Sequence, residues 1–237
     1  MNKHIIFVIG TGRSGTHLIG RIIGSHPRVK PFIEDERFFH LSTQIATGQL
    51  RDNKIKKLVK NYRVAFSKVK EDYILEKSHP NIWHVERLNE AFDKSYFVGI
   101  YRDVYSTVSS MLKHQGVLSW FDTLAQDKIN PFLGITEYNI NYYKSLPVHQ
   151  KCALRWLSHK QRLTKLNNRY PSNVKILNYN ELLTGQTAVL DDLATFLKLE
   201  NKFEPEEFNM ESMTKWKENL TEHMIDDIDE IIEQNDT

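Results

Sequence analysis

Cysteine is nearly missing from this chain of 237 residues: Cys152 is the single one. That excludes an internal disulfide framework and suits a reducing compartment. Proline and glycine are sparse, at seven and ten residues, which excludes collagen-like and low-complexity folds. No apolar run approaches the roughly 18 residues that span a bilayer, so no membrane partner is expected. Net charge is small, +2 at neutral pH, and no internal repeat is present. A strand pattern beginning near His4 leaves no room for a signal peptide, so a cytoplasmic protein is expected.

What the chain does hold is globular material: 40% hydrophobic residues, 11% aromatics and 26% charged residues. The expectation is one domain over residues 1–237, burying about 70–75% of its unfolded surface. Charge is unevenly placed. Residues 218–237 carry eight acids and no Lys or Arg, leaving a basic body of +10 over residues 1–217. The acidic stretch reads as a C-terminal helix, with Met224, Ile225, Ile228, Ile231 and Ile232 on one face. The basic body suits a polyanionic nucleotide and by itself would also suit RNA or an acidic sugar; the expectation is a small-molecule or carbohydrate partner and no nucleic acid.

The strongest local signal is a strand, turn and helix over His4–His26. A β-branched apolar run, His4–Ile9, breaks into Gly10-Thr-Gly12-Arg13-Ser14-Gly15-Thr16-His17, and a helical apolar pattern follows. Glycines between a buried strand and a helix start aim several N–H groups at one point, where an anion sits, most often a phosphate. Gly10 and Gly15 have the separation of a nucleoside-triphosphatase loop, but Thr16 and His17 stand where Lys and Ser/Thr belong. Gly10, Gly12 and Gly15 also fit a dinucleotide fingerprint, but without an acid ending a strand some twenty residues on.

Further short strands alternate with helices: residues 28–33, 96–101 and 174–179 read as strands, and 73–80 as a short strand ending in a polar turn. Helices are expected over 35–46, 54–67, 83–92, 104–114, 153–166 and 220–232, with one or two more over 181–199, broken near Gly185. Such alternation predicts an α/β fold of three layers, a mostly parallel sheet with helices on both faces. Ligands of such sheets bind beyond the carboxyl ends of the strands. Residues 114–150 show mixed aromatics and no clean period, a candidate substrate lid or wall.

Gly12-Arg13-Ser14-Gly15-Thr16-His17 resembles the 5′-phosphosulfate-binding loop of the PAPS-dependent sulfotransferases (PAPS, 3′-phosphoadenosine 5′-phosphosulfate), closer to their Golgi and bacterial-type branch. His17 replaces the usual hydroxyl residue. Tyr101-Arg102-Asp103 through Ser110 resembles the family's strand-end Arg and later Ser, which take the donor's 3′-phosphate. Tyr179-Asn-Glu-Leu-Leu resembles the strand end whose tyrosine lies against the adenine, and Lys215-Trp-Lys217 a late segment that covers the nucleotide. The resemblance implies a P-loop-like fold and transfer of a sulfuryl group from PAPS to a hydroxyl or amine of a carbohydrate or small molecule, with PAP (3′-phosphoadenosine 5′-phosphate) released.

Such a displacement needs cations at the leaving phosphate and a base for the acceptor's proton. Arg13 supplies that charge, and Glu76-Lys77-Ser78 resembles the Golgi-type segment whose lysine, here Lys77, helps bind and polarise. The resemblance implies two candidates for the base: in the acid cluster over 34–36, Glu34 or Asp35 resembles the acid of the Golgi-type enzymes, and His79 of Lys77-Ser78-His79 resembles the histidine base of the cytosolic ones. No metal-ligand spacing is present, so no metal is expected. A P-loop small-molecule kinase and a non-catalytic nucleotide binder of the same fold are the alternatives. The acceptor and the oligomeric state are not readable from the residues.

Overall fold

The structure is a computed structural model, and it describes residues 3–204, 206 and 210–235. In chain order its main elements are β1 (His4–Gly10), α1 (Thr16–Gly24), β2 (Val29–Ile33), α2 (Glu36–Ala46), α3 (Ile55–Phe66), β3 (Tyr73–Lys77), α4 (Val85–Ala91) and β4 (Ser95–Tyr101). There follow α5 (Val104–Leu112), α6 (Gln115–Thr123), α7 (Val148–Arg169), β5 (Val174–Asn178), α8 (Tyr179–Thr184), α9 (Gln186–Leu197) and α10 (Glu222–Asn235). These form two compact units, Met1–Tyr101 with Leu163–Phe208, and Arg102–Arg162 with Asn209–Thr237.

In the first unit all five strands are parallel, in the order β2-β3-β1-β4-β5. The central strand β1 is apolar on both faces because both are covered. Ile6 and Val8 point into a core shared with Ile19, Ile22 and Ile23 of α1 and Leu190, Leu193 and Leu197 of α9. Ile5, Phe7 and Ile9 alternate to the opposite core, with Phe38 of α2, Tyr62 and Phe66 of α3, and Leu163 of α7. Each such fully buried side chain is worth about 1.5–3 kcal/mol. The three-layer α/β reading holds.

The second unit is helical. Here α5 packs against α6 and α10, over a core that includes Val108, Met111, Phe132, Trp156 and Ile228. Arg155 is wholly buried in this core, with its guanidinium 5.0 Å from the Trp120 ring and 4.8 Å from the Phe132 ring. Burial pushes its pKa down to about 10.

Among the boundaries that differ from the periodicity reading, three have a local cause. Residues 115–123 form α6, started by the His114 ring accepting the Val117 N–H at 3.2 Å. Its apolar Val117, Trp120 and Phe121 have helical spacing that Gly116 and the following loop obscure. Helix α7 begins at Val148 because polar His149, Gln150 and Lys151 carry helix without an apolar period. Residues His79–Trp83 wind as a 3-10 turn with Pro80 in its first turn, and the regular helix waits until Val85.

Candidate active site

The loop after β1 is shaped by contacts that its sequence specifies. The Ser14 hydroxyl donates to the Thr11 carbonyl at 2.6 Å and the Ile100 carbonyl at 3.1 Å, tying the loop to the end of β4. Gly15 has φ +100°, and a Cβ there would lie 2.4 Å from the Tyr179 ring, so only glycine fits. Tyr179, at the start of α8, thus lies directly against the loop. A Cβ on Gly12 would lie 3.3 Å from His79 Nε2. Arg13 is exposed and holds φ +77°. A non-glycine residue in that region is strained, by about 1–2 kcal/mol.

The second strained residue is Glu34, with φ +47°, one position past β2. Its backbone N–H donates to the Lys77 carbonyl at 2.8 Å, extending the β2–β3 ladder by one step. The turn presents its carboxylate to three nitrogens. Lys77 Nζ donates to Oε1, His79 Nδ1 lies 3.5 Å from the same oxygen, and His17 Nε2 lies 3.2 Å from Oε2. Partial burial pushes the Glu34 pKa up, but hydrogen bonds from His17 and His79 and the Lys77 ammonium outweigh it and hold the carboxylate ionised. Burial lowers the pKa of Lys77, whose side chain is 1% exposed, and Glu34 opposes that shift. The lysine stem fits beneath α1 because Gly20 offers no side chain: a Cβ there would lie 3.2 Å from Lys77 Cγ.

Thus Glu34, Lys77, His79 and His17 share one cluster, so the two sequence candidates for the base are neighbours. Asp35 does other work. Its carboxylate caps α2 through the Arg37 N–H at 3.1 Å and accepts the Arg37 guanidinium at 2.7 and 2.5 Å.

Beneath the cluster lies a network that sequence reasoning missed. Glu76 is fully buried and accepts from Ser78 Oγ at 2.5 Å and Asn81 Nδ2 at 2.5 Å. Asn81 in turn bonds the Tyr62 hydroxyl at 2.9 Å and receives the Ser42 hydroxyl at 2.9 Å. Desolvation raises the Glu76 pKa to about 8, although the Ser78 and Tyr62 hydroxyls favour its charge. The network pins the Ser78–Asn81 turn that carries His79. The only sequence signal for it was a polar Glu76 in a buried strand.

In the second unit Arg102 is buried. Its Nη2 donates to the Ser212 carbonyl, and its own carbonyl accepts the Trp156 indole N–H at 2.8 Å. Asp103 caps α5 by accepting the Ser106 N–H at 2.7 Å. Ser110 lies four residues beyond Ser106 on the same helix. The buried hydroxyls of Ser106 and Ser212 have no hydrogen-bond partner among the described residues. Lys215 and Lys217 are exposed on a 3-10 turn whose Trp216 stacks on Tyr105 at 4.8 Å. Of the aromatics in the 114–150 stretch, Phe121 and Phe132 are core, whereas Tyr138 and Tyr142 are exposed.

The sulfotransferase family model matches residues 6–205. This chain belongs to the sulfotransferase family, and is a transferase of that fold. Similar solved structures include the sulfotransferase domain from the curacin biosynthetic pathway, at 15% identity and TM-score 0.60 over 98% of this chain and 97% of that one. The sulfotransferase domain of the Synechococcus PCC 7002 olefin synthase aligns at 12% identity and TM-score 0.62, over 100% and 96%. A sulfotransferase from Alicyclobacillus acidocaldarius aligns at 15% identity and TM-score 0.55, over 99% and 96%. At such identities the likeness is one of fold. The search of curated proteins gave no match to this chain. Among the described residues, no helix is long and apolar enough to cross a membrane.

Proposed function

We propose that this chain transfers a sulfuryl group from PAPS to a hydroxyl or amine of a small-molecule or carbohydrate acceptor. The observation that carries the reading is the cluster of Glu34, Lys77 and His79 at the carboxyl ends of β2 and β3, with His79 Nε2 against Gly12 of the anion loop. The loop N–H groups, Arg13 and Lys77 take the 5′-phosphosulfate, and Tyr179 lines the adenine. Arg102 and Ser110 take the 3′-phosphate. The buried, unpartnered hydroxyls of Ser106 and Ser212 fit that assignment, since such donors are retained where a ligand satisfies them. Lys215 and Lys217 add positive charge for the nucleotide.

In the reaction the acceptor oxygen or nitrogen bonds to sulfur as the bond from sulfur to the phosphate oxygen breaks. The acceptor proton passes to His79 Nε2, while the Glu34 carboxylate beside Nδ1 steadies the imidazolium that forms. Arg13 and Lys77 stabilise charge arriving on the departing PAP phosphate. Arg13 offers a planar guanidinium fork that matches two phosphate oxygens. Asp35 is left to the helix cap.

Thermal-shift measurements with PAP, ATP and NAD test the donor. PAP at 100 times its dissociation constant adds about 2.7 kcal/mol of stability. Arg13→Ala and Arg102→Ala each weaken that gain. Stabilisation by ATP and not by PAP overturns the reading in favour of a kinase.

A further inference from the structure

A cavity of about 680 Å³ lies along the sheet edge in the first unit, and no part of it belongs to the donor reading. Its volume is that of a small-molecule site. Phe32 of β2, Phe38 of α2, Val64 and Ala65 of α3, and Val69 beyond α3 line its apolar part, and Val64 is 53% exposed. The exposed valine beside the partly covered Phe32 ring leaves apolar surface for a ligand to cover, whereas Phe38 is buried beneath.

The charged part of the lining has one dominant sign. Lys30, Lys60, Lys68 and Lys70 border the cavity. None of the four ammonium groups pairs with a carboxylate among the described residues. The one acid of the lining is Glu71, and Arg37 is already committed to Asp35 while its guanidinium lies over Phe32 and Phe38. Four uncompensated ammoniums around an apolar floor raise the local potential and favour an anion with an apolar body. A free inorganic anion would leave the apolar floor wet. An added peptide strand is disfavoured because Pro31, at the centre of edge strand β2, removes a ladder donor.

We infer that this groove is a binding site for a single-chain anionic amphiphile, an apolar chain ending in a carboxylate, sulfate or phosphate, taken as a monomer from solution. The chain covers Phe32, Val64 and Val69, and the head group meets the lysines.

The test is titration calorimetry of the full chain with decyl sulfate and decanoate below their micellar concentrations. Decyl maltoside, inorganic sulfate and anionic phospholipid vesicles serve as comparison probes. The expected result is 1:1 binding of both anionic probes, weakened about tenfold in Lys60→Glu/Lys68→Glu and again in Val64→Asp. Circular dichroism of the variants verifies the fold, and raised salt weakens binding. Equal binding of decyl maltoside, unchanged affinity in the double-charge variant, or binding to vesicles without binding to either monomer overturns the assignment. Decyl sulfate binding displaced by inorganic sulfate alone at equal concentration also overturns it. Because none of these residues enters the donor assignment, the outcome stands apart from the PAP measurement.

Discussion

Replacing Glu34 by glutamine removes the negative charge that three nitrogens share while keeping nearly the same shape. Breaking a fully buried ion pair costs about 3–5 kcal/mol, and an exposed pair is worth about 0–1 kcal/mol. Lys77 is 1% exposed and Glu34 28%, so the loss falls between those limits, at about 2 kcal/mol. For a chain of this size that lowers Tm by roughly 4–8 °C. The sign with pH follows from the depressed carboxyl pKa. The unfolded chain binds a proton near the ordinary value of 4.5, whereas the folded one resists it. The stabilisation is therefore fully present above that value and is lost as pH falls through the folded pKa. Urea unfolding of both proteins at pH 7 and across the acid range measures the difference, which is largest at pH 7 and shrinks on acidification. Glu34→Gly separates charge from strain: it loses the same ion pair but relaxes the φ +47° backbone, so it is more stable than Glu34→Ala by about 1 kcal/mol. Equal stability of wild type and Glu34→Gln at pH 7, or a difference that does not move with acid, refutes the argument.

Gly15→Ala sets a methyl group 2.4 Å from the Tyr179 ring at φ +100°, and destabilises by about 1–3 kcal/mol with loss of the PAP thermal shift; adding Tyr179→Ala recovers part of the stability but not all, since the backbone strain remains. Glu76→Ala leaves Ser78, Asn81 and Tyr62 short of partners and costs about 1–3 kcal/mol. The raised Glu76 pKa, about 8, means that stability from its protonated form is full below about 4.5 and is lost as pH rises through 8, so the wild-type advantage over Glu76→Gln narrows across that window in urea titrations. Arg155→Met removes a buried charge that has no carboxylate partner among the described residues, and equals or exceeds wild type in Tm, while Arg155→Lys, which forfeits the planar stack on Trp120 and Phe132, lowers it.

The strand order was not written in any one stretch, but the alternation that produced it was. His4–Ile9 reads as a strand buried on both faces because alternate residues feed two separate cores, and a continuous apolar run is the only pattern that serves both. The anion loop was legible for a local reason: glycines at Gly12 and Gly15 admit the His79 and Tyr179 rings, so close approach left its mark in the residue choice itself. Glu76 was not legible in the same way. Its partners come from two segments, Tyr62 from α3 and Ser78 and Asn81 from the turn after β3, and each alone looks like an ordinary polar residue near a helix or turn. The rivalry between Glu34 and His79 also dissolves only in three dimensions, because register places Ile33 beside Lys77 and so carries Glu34 to the end of β3.

Arg13 and Glu34 show why charge and strain coincide here. Both are non-glycine residues with positive φ in the turn beyond a strand, where glycine or asparagine would relieve about 1 kcal/mol. Glu34 keeps its ion pair with Lys77, whereas Arg13 is exposed, so the strain at the two positions is offset in different ways. The cost is tolerable because the surroundings fix the backbone independently of the side chain: Ser14 anchors one turn to Ile100, and the Glu34 N–H locks the other to Lys77. What the strain secures is direction, in that a left-handed residue at a strand end sends its side chain where an extended one would not. If the Arg13→Gly protein is more stable than wild type yet binds PAP more weakly, the backbone conformation is being spent on ligand. If it binds PAP as tightly as wild type, Arg13 does not serve the ligand, and the anion site rests on Gly12, Ser14 and Gly15.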